Sequence, residues 1–394
     1  MGFRYRKSIN LGGGFRINLS KSGIGYSWGT KGYRVTKKAN GGIRNTYSIP
    51  GTGISWVEDS GKPAQKRKLN TNENPYPPAP GVKKVLEEME ADRLRKYPDP
   101  TASILVKELA SYYRLNEDQV FVGVGSDDVL AMSFLTFFNS DKPVLFPDVT
   151  YSFYKVWADL FKVPFETPVL KEDFTIDVKD YEKENGGVIF PNPNAPTGVY
   201  MPLDQVEEIL KANQDVVVIV DEAYVDFAGP SALELLDKYE NLLVVQTFSK
   251  SRSMAGMRIG FAMGHPDLIR ALNDVKYSYN SYTMNLPSLL AGVEAVKDKE
   301  YFEKTIEKIV ATREHAKKRL TELGFTFPNS QSNFIFASHK SVPAEKIFEA
   351  LKKEQIYVRY FKTPGLDNSL RISIGTDEEM DTLFRFLEAY LPNA

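Results

Sequence analysis

The sequence contains no cysteine. That excludes disulfides, thiolate metal sites and cysteine nucleophiles. Histidine is scarce as well. His265, His315 and His339 are the full set, and no two sit at metal-ligand spacing. Neither a metal site nor a histidine-based triad is expected. No apolar run approaches the ~20 residues that span a bilayer. The first residues, Met1-Gly2-Phe3-Arg4-Tyr5-Arg6-Lys7, lack the apolar stretch of a secretory signal. Acidic residues are missing from one end, where the first is Glu58. Over all 394 residues, however, 50 basic side chains nearly cancel 51 acidic ones, for a formal charge of -1. Charge therefore gives no global argument for nucleic acid or membrane binding. A cytoplasmic enzyme of two or three domains is the expected class.

What is present divides into textures. Residues 1–60 are rich in Gly, Ser and basic side chains, with short β-type pieces such as Phe15-Arg16-Ile17-Asn18-Leu19-Ser20 and Gly32-Tyr33-Arg34-Val35-Thr36. Glycines punctuate them, as in small hairpins. This reads as a β-rich module with a basic face. A solvated face is the plainer explanation, and contact with an anionic surface or nucleic acid is the alternative. Residues 61–68 read as a polar linker. Residues 69–98 form a proline-locked arm (Asn72-Glu73-Asn74-Pro75-Tyr76-Pro77-Pro78) followed by a charged helix expected over 82–96. From 99 to 290 apolar strand candidates alternate with helical segments, which predicts an α/β domain with a mainly parallel sheet. Residues 291–394 carry longer helices and short strands, and read as a smaller α/β domain.

In such sheets ligands gather where strands end. Gly123-Val124-Gly125-Ser126-Asp127-Asp128 follows the first strand and opens a helix, with Ser126 as the expected cap. It is an anion site through its backbone N–H groups, or an ordinary capped helix. Tyr151, after the second strand, is a stacking ring or a core residue. After the third, Pro191-Asn192-Pro193-Asn194-Ala195-Pro196-Thr197-Gly198 has three prolines, which specify a defined backbone path. Asp221 ends the apolar run Val216-Val217-Val218-Ile219-Val220; a carboxylate there is partly buried and needs a partner. Leu242-Leu243-Val244-Val245 leads to Ser249-Lys250, with Arg258 eight residues on. Lys250 alone reads as a solvated loop lysine or as one that forms a Schiff base with an aldehyde cofactor. A lysine, an acid, a stacking ring and a phosphate cradle at the strand ends suit one ligand, pyridoxal 5'-phosphate.

Residues from about 65 onward resemble the fold-type I pyridoxal-phosphate aminotransferases, and among them the histidinol-phosphate aminotransferase family. The resemblance is carried by Leu69-Asn70-Thr71-Asn72-Glu73-Asn74-Pro75-Tyr76, Tyr97-Pro98-Asp99-Pro100, Gly125-Ser126-Asp127-Asp128, Asn194-Ala195-Pro196-Thr197-Gly198, Asp221-Glu222-Ala223-Tyr224, Ser249-Lys250 with Arg258, Ser332-Asn333-Phe334 and Leu370-Arg371-Ile372-Ser373. It implies a homodimer that transaminates histidinol phosphate with 2-oxoglutarate. Lys250 would hold the cofactor and move the substrate proton, and Asp221 would pair with the ring nitrogen. Tyr224 and Asn194 would address the phenolic oxygen, and Tyr151 would stack. Ser126, Asp127, Ser249 and Arg258 would hold the phosphate, with Tyr97 of a partner copy. Arg371 would take an α-carboxylate, and Arg359 a second anion or else a surface ion pair. Tyr76, Tyr279 and Asn333 would line the substrate side. Other specificities on the same fold are an aromatic or other amino-acid aminotransferase and a phosphothreonine-type decarboxylase; a crippled transferase serving a binding module is a further alternative. Three departures stand out. Ala195 occupies the position where the family usually has a second Asn. Asp128 stands for Glu. The β-module replaces the usual N-terminal arm, and its own words, such as Ile17-Asn18-Leu19-Ser20-Lys21-Ser22-Gly23-Ile24-Gly25, resemble a small bacterial domain family of unknown function.

Overall fold

A computed structural model describes residues 6–20, 23–30, 32–37, 43–48, 55–60 and 66–394. The chain forms two compact units, Met1–Arg67 with Leu351–Tyr357, and Lys68–Ala350 with Val358–Ala394.

The first unit holds a six-stranded antiparallel meander: β1 (Arg6–Gly12), β2 (Phe15–Ser20), β3 (Gly23–Thr30), β4 (Tyr33–Lys37), β5 (Ile43–Ser48) and β6 (Ser55–Ser60), paired in chain order. The described turn at Gly13-Gly14 is tight and built of glycine, as is the turn residue Gly32, and strands that are neighbours in sequence pair in space. Period-two alternation then sorts the side chains by face. Trp28 lies opposite Val35 and Tyr33 opposite Tyr47, while Arg34 lies opposite Thr46 on the other face. Strands β1 and β6 have no counterpart in the sequence reading; their alternation is blurred by Ser and Asn. The expected strand residue Ile49 and linker positions 61–65 lie outside the described residues.

The second unit is built on a seven-stranded sheet. Its strands are β7 (Val120–Gly123), β8 (Val144–Leu145), β9 (Phe165–Glu166), β10 (Gly187–Pro191), β11 (Val218–Asp221), β12 (Leu242–Thr247) and β13 (Gly260–Gly264). They run in the order β9-β8-β10-β11-β12-β13-β7. Pairings from β9 to β12 are parallel, and β13 is antiparallel to both its neighbours. The helices between them are α2 (Ser103–Tyr113), α3 (Ser126–Phe137), α4 (Phe153–Phe161), α5 (Leu203–Ala212), α6 (Pro266–Tyr279) and α7 (Leu286–Lys297), preceded by α1 (Pro80–Glu88). Helices cover both faces, so the central strands are apolar on both. Val218 and Val220 pack into one core, and Ile219 into the other.

Inversion of β13 brings a further segment to the sheet edge where the parallel strands end. Its first residue, Gly260, pairs with the last residues of β12 and β7, Thr247 and Gly123. The residues just before β13 therefore reach the same edge as those just after the parallel strands.

The remaining elements are α8 (Lys299–Glu322), β14 (Phe325–Thr326), β15 (Phe334–His339), α9 (Ala344–Lys353), β16 (Ile356–Tyr360), β17 (Leu370–Ser373) and α10 (Asp377–Tyr390). These strands run β14-β15-β17-β16, all antiparallel, and the short strand Arg67–Leu69 follows β16 at the sheet's edge, so the polar linker expected over 61–68 ends in a strand. The helix expected over 82–96 is shorter: α1 ends at Glu88, Met89 and Glu90 are extended, and a 3₁₀ turn covers Ala91–Arg95. The apolar stripe of α1 fades beyond Leu86, which removes the packing that would have continued it. No helix among the described residues is long and apolar enough to cross a membrane.

Ile219 is fully buried at the centre of the sheet. Ile219→Ala leaves a cavity there, and urea denaturation of the cofactor-free protein is expected to show a loss of about 2–5 kcal/mol.

Candidate active site

At this edge the strand ends surround a cavity of about 190 Å³. Ser126, Asp127, Tyr151, Ala195, Asp221, Tyr224, Thr247, Ser249, Lys250 and Arg258 line it, with Thr71 and Glu73 from the arm.

Asp221 is the last residue of β11 and is 5% exposed. Its Oδ2 accepts a hydrogen bond of 2.7 Å from Tyr154, whose ring is fully buried on α4. Its Oδ1 is buried with no hydrogen-bond partner. Burial pushes this carboxyl up to about 6 from an ordinary 3.8, against the Tyr154 hydrogen bond and the nearby Lys250 charge. The adjacent Glu222 points away from the cavity, to Ser231 and Gln246, and burial pushes it up to about 7.

Lys250 follows β12 by three residues and is half-buried. Its Nζ donates to the Thr71 carbonyl at 3.2 Å and lies 5.6 Å from the centre of the Tyr224 ring. Tyr224, 7% exposed, accepts at its hydroxyl from Asn72 Nδ2 at 3.0 Å.

An anion cradle lies beside them. Helix α3 begins at Ser126, and Gly125 before it has φ +87, a conformation that suits glycine. Ser126 is thus the first helical residue and does not cap the helix, contrary to expectation; the backbone reaches it through a glycine. A Cβ on Gly125 would come within 2.5 Å of Arg258 Nη2, and one on Gly260 within 2.3 Å of the Ser126 nitrogen. Close packing of backbone and guanidinium is therefore what these glycines permit. The Arg258 Nη2 is 3.5 Å from Asp127 Oδ2, while Asp127 Oδ1 accepts from the Tyr151 hydroxyl at 2.7 Å. Ser249 is buried and accepts from Thr247.

The other expected residues are not among those that line this cavity. Arg371 and Arg359 face each other across β17 and β16, both near the Phe361 ring at 5.5 and 5.4 Å. Arg371 donates to the Asn70 carbonyl at 3.3 Å, its Nε is buried without a partner, and burial lowers its pKa. Arg359 is exposed and forms none of the ion pairs identified among the described residues. Asn333 is fully buried and donates to the Asn72 carbonyl. Asn194 is buried beside the cavity. Tyr76 is half-buried under Lys308, and Tyr97 and Tyr279 are 83% and 76% exposed. No metal-type cluster occurs among the described residues.

Two contributors escaped the sequence reading. Tyr154 has a weak signal, lying three residues after Tyr151 in a helical stretch, where both can face one side. Asn72 sits in a recognised motif, but nothing in its spacing points to Tyr224, 152 positions away.

The family described as Aminotransferase class I and II matches residues 64–387, and residues 3–57 match the family described as Protein of unknown function (DUF4236). The histidinol-phosphate aminotransferase of Brachyspira hyodysenteriae is 52% identical over 327 residues, 83% of this chain and 92% of that protein. The Clostridium acetobutylicum enzyme of the same name is 53% identical over 79% of this chain and 89% of its own length.

The chain belongs to the class I and II aminotransferases, on their histidinol-phosphate aminotransferase branch.

The fold agrees. The histidinol-phosphate aminotransferase of Sinorhizobium meliloti, solved with pyridoxal-5'-phosphate, superposes with a TM-score of 0.75 at 24% identity, covering 83% of this chain and 90% of that one. The C. acetobutylicum structure gives 0.77 at 23%, covering 83% and 100%. The cavity of this aminotransferase fits the same cofactor on three observations of its own. A buried carboxylate oxygen stands unpartnered, a lysine amine enters beside it, and a glycine-lined helix start lies next to an arginine.

Asp221 and Glu222 make the empty protein pH-sensitive. Both have folded-state values above their ordinary ones, so protonation favours the fold. Their contribution is complete below about pH 4 and is lost as the pH rises through about 6 and 7. Denaturation of the cofactor-free protein between about pH 4 and 8 should show stability falling across that window, and Asp221→Asn should remove up to about 3 kcal/mol of the fall.

Proposed function

We propose that this chain is a homodimeric, cytoplasmic transaminase of histidinol phosphate and 2-oxoglutarate; in the biosynthetic direction it turns imidazoleacetol phosphate and glutamate into histidinol phosphate and 2-oxoglutarate. Asp221, a buried carboxylate with one unpartnered oxygen, lines the same cavity as Lys250, and that pairing carries this reading.

Bound there, pyridoxal phosphate supplies an aldehyde that takes up the amino group and a ring that withdraws electrons from the substrate. Lys250 is the covalent attachment point, and its amine moves the proton at the substrate's Cα. Asp221 would pair with the ring nitrogen, and its negative charge would favour that nitrogen's protonated form. Tyr151 would flank the ring, and Tyr224 would donate to the phenolic oxygen. Backbone N–H groups at Ser126 and Asp127, with Ser249 and Arg258, hold the phosphate.

Arg371 takes the α-carboxylate of glutamate by a two-pronged hydrogen bond, and Arg359 takes the phosphate of histidinol phosphate. The two share one end of the β16–β17 ladder, which suits ligands with different anions at one place. Asn333 supports this side through Asn72, and Tyr76 lines it. Tyr97 and Tyr279 are large aromatic side chains left in water. In the homodimer they complete the neighbouring copy's site, Tyr97 at the phosphate and Tyr279 at the substrate.

Addition of pyridoxal phosphate should produce a visible band, and borohydride should then fix the cofactor to the peptide containing Lys250. Lys250→Ala should abolish the fixation and lower turnover by about 10³-fold or more. Turnover should favour histidinol phosphate over phenylalanine, and phosphothreonine should not lose carbon dioxide. Preference for phenylalanine would replace the substrate assigned here, and a visible band without turnover on any of them would make the chain a binding protein.

Arg371→Lys keeps the charge but loses the planar fork. We expect KM for glutamate to rise about 10- to 100-fold, with a smaller change in kcat, in steady-state kinetics.

A further inference from the structure

We propose that Asn72 is a positioning residue that aims the Tyr224 hydroxyl at the cofactor, and that in this chain Tyr224 serves the cofactor's phenolic oxygen without help from the Asn194–Ala195 loop. The proposal rests on pyridoxal phosphate being the ligand of the cavity.

Asn72 is 1% exposed and held at φ +56. Every polar atom it has is engaged. Its N–H donates to Ser373 Oγ at 2.9 Å, and its carbonyl accepts from Asn333 Nδ2 at 3.0 Å. Its Oδ1 accepts from Ser373 Oγ at 2.9 Å, which turns the amide so that Nδ2 donates to the Tyr224 oxygen at 3.0 Å. A phenol has one hydrogen to give. With its oxygen occupied as an acceptor, Tyr224 keeps that hydrogen for the cavity, which its side chain lines.

The loop across the cavity offers no donor. Ala195 lines the wall with a methyl group. Asn194 has two amide hydrogens, and both are taken, by the Val149 carbonyl and by Thr197 Oγ1, each at 3.0 Å. Its free Oδ1 only accepts, which is the wrong polarity for an oxygen that carries negative charge.

The adjoining residues of the arm meet two further functional groups. The Thr71 carbonyl holds Lys250 Nζ, and the Asn70 carbonyl holds Arg371. Three successive residues thus meet the residues assigned to attachment, to the phenolic oxygen and to the substrate anion. The charged and titratable groups around the Tyr224 ring are Lys250, Arg371, Asp221, Tyr151 and Tyr154, and substitution at Asn72 or Ala195 leaves all five in place.

The test is a pH titration of the visible band in the full-length protein loaded with pyridoxal phosphate. A donor to the phenolic oxygen favours its anionic form, so losing the donor raises the pH of the transition. Asn72→Asp keeps the shape but offers Tyr224 an acceptor, which captures its hydrogen, and Asn72→Leu, which removes the donor without adding a charge, should move the midpoint in the same direction. The midpoint should rise by about one pH unit, the scale of one hydrogen bond. Adding Ala195→Asn to the Asn72→Asp variant should bring the midpoint back towards wild type. Ala195→Asn alone, which leaves the buried network untouched, should lower it by a similar amount. A midpoint unmoved in Asn72→Asp, even with reduced thermal stability, would mean a merely structural role and would overturn the proposal. So would an unmoved midpoint in Ala195→Asn. A wild-type protein with no visible band would instead overturn the cofactor reading itself, and this proposal with it.

Discussion

The active site depends on a hydrogen bond between Tyr154 and Asp221. A carboxylate at the end of the central strand is surrounded by protein, where a charge without partners is strongly disfavoured. Tyr154 satisfies one oxygen and leaves the other bare. That division sets the geometry of everything around it. The satisfied oxygen ties the carboxylate to α4, and the bare one is left with unmet hydrogen-bonding capacity. Lys250 and the α3 cradle are placed by the same strand ends, and the Thr71 carbonyl and the Asp127–Tyr151 hydrogen bond hold their side chains there.

Strand direction does the rest of the assembly. Parallel strands deliver Asp221 and Lys250 to one edge, because residues that follow them emerge on the same side. Arg258 reaches that edge by the opposite route, as a residue preceding the inverted β13. The eight-residue excursion from Lys250 to Arg258 is thus a loop that leaves and re-enters the sheet at one level. It brings an amine and a guanidinium into the lining of one cavity, and Gly260 gives the returning backbone room beside Ser126.

The sequence reading reached the α/β architecture and the cavity lining because both are written in local patterns. Apolar runs such as Val218-Ile219-Val220 mark strands, and the polar residues after them mark the edge. Direction is not written locally: an apolar run with glycines at its ends reads the same in β13 as in a parallel strand. Short strands such as β8 and β9, two residues each, carry too little pattern to bound. The helix expected to run to 96 stopped early because its charged residues satisfy any amphipathic template, whereas packing at Val82 decides where it lives. Contacts made across long separations were least legible. Tyr154 meets Asp221 over 67 positions, and Asn72 meets Ser373 over 301. Such pairs follow from the topology, which no spacing rule supplies.

The raised pKa of Asp221 also bears on how long the chain survives in a cell. A protein that holds a carboxylate at a disadvantage until a cation arrives is stabilised by any ligand that brings one, in proportion to how far that ligand exceeds its dissociation constant. The loaded and empty forms then differ in lifetime as well as in activity, since the fraction that opens to proteases follows the folding free energy.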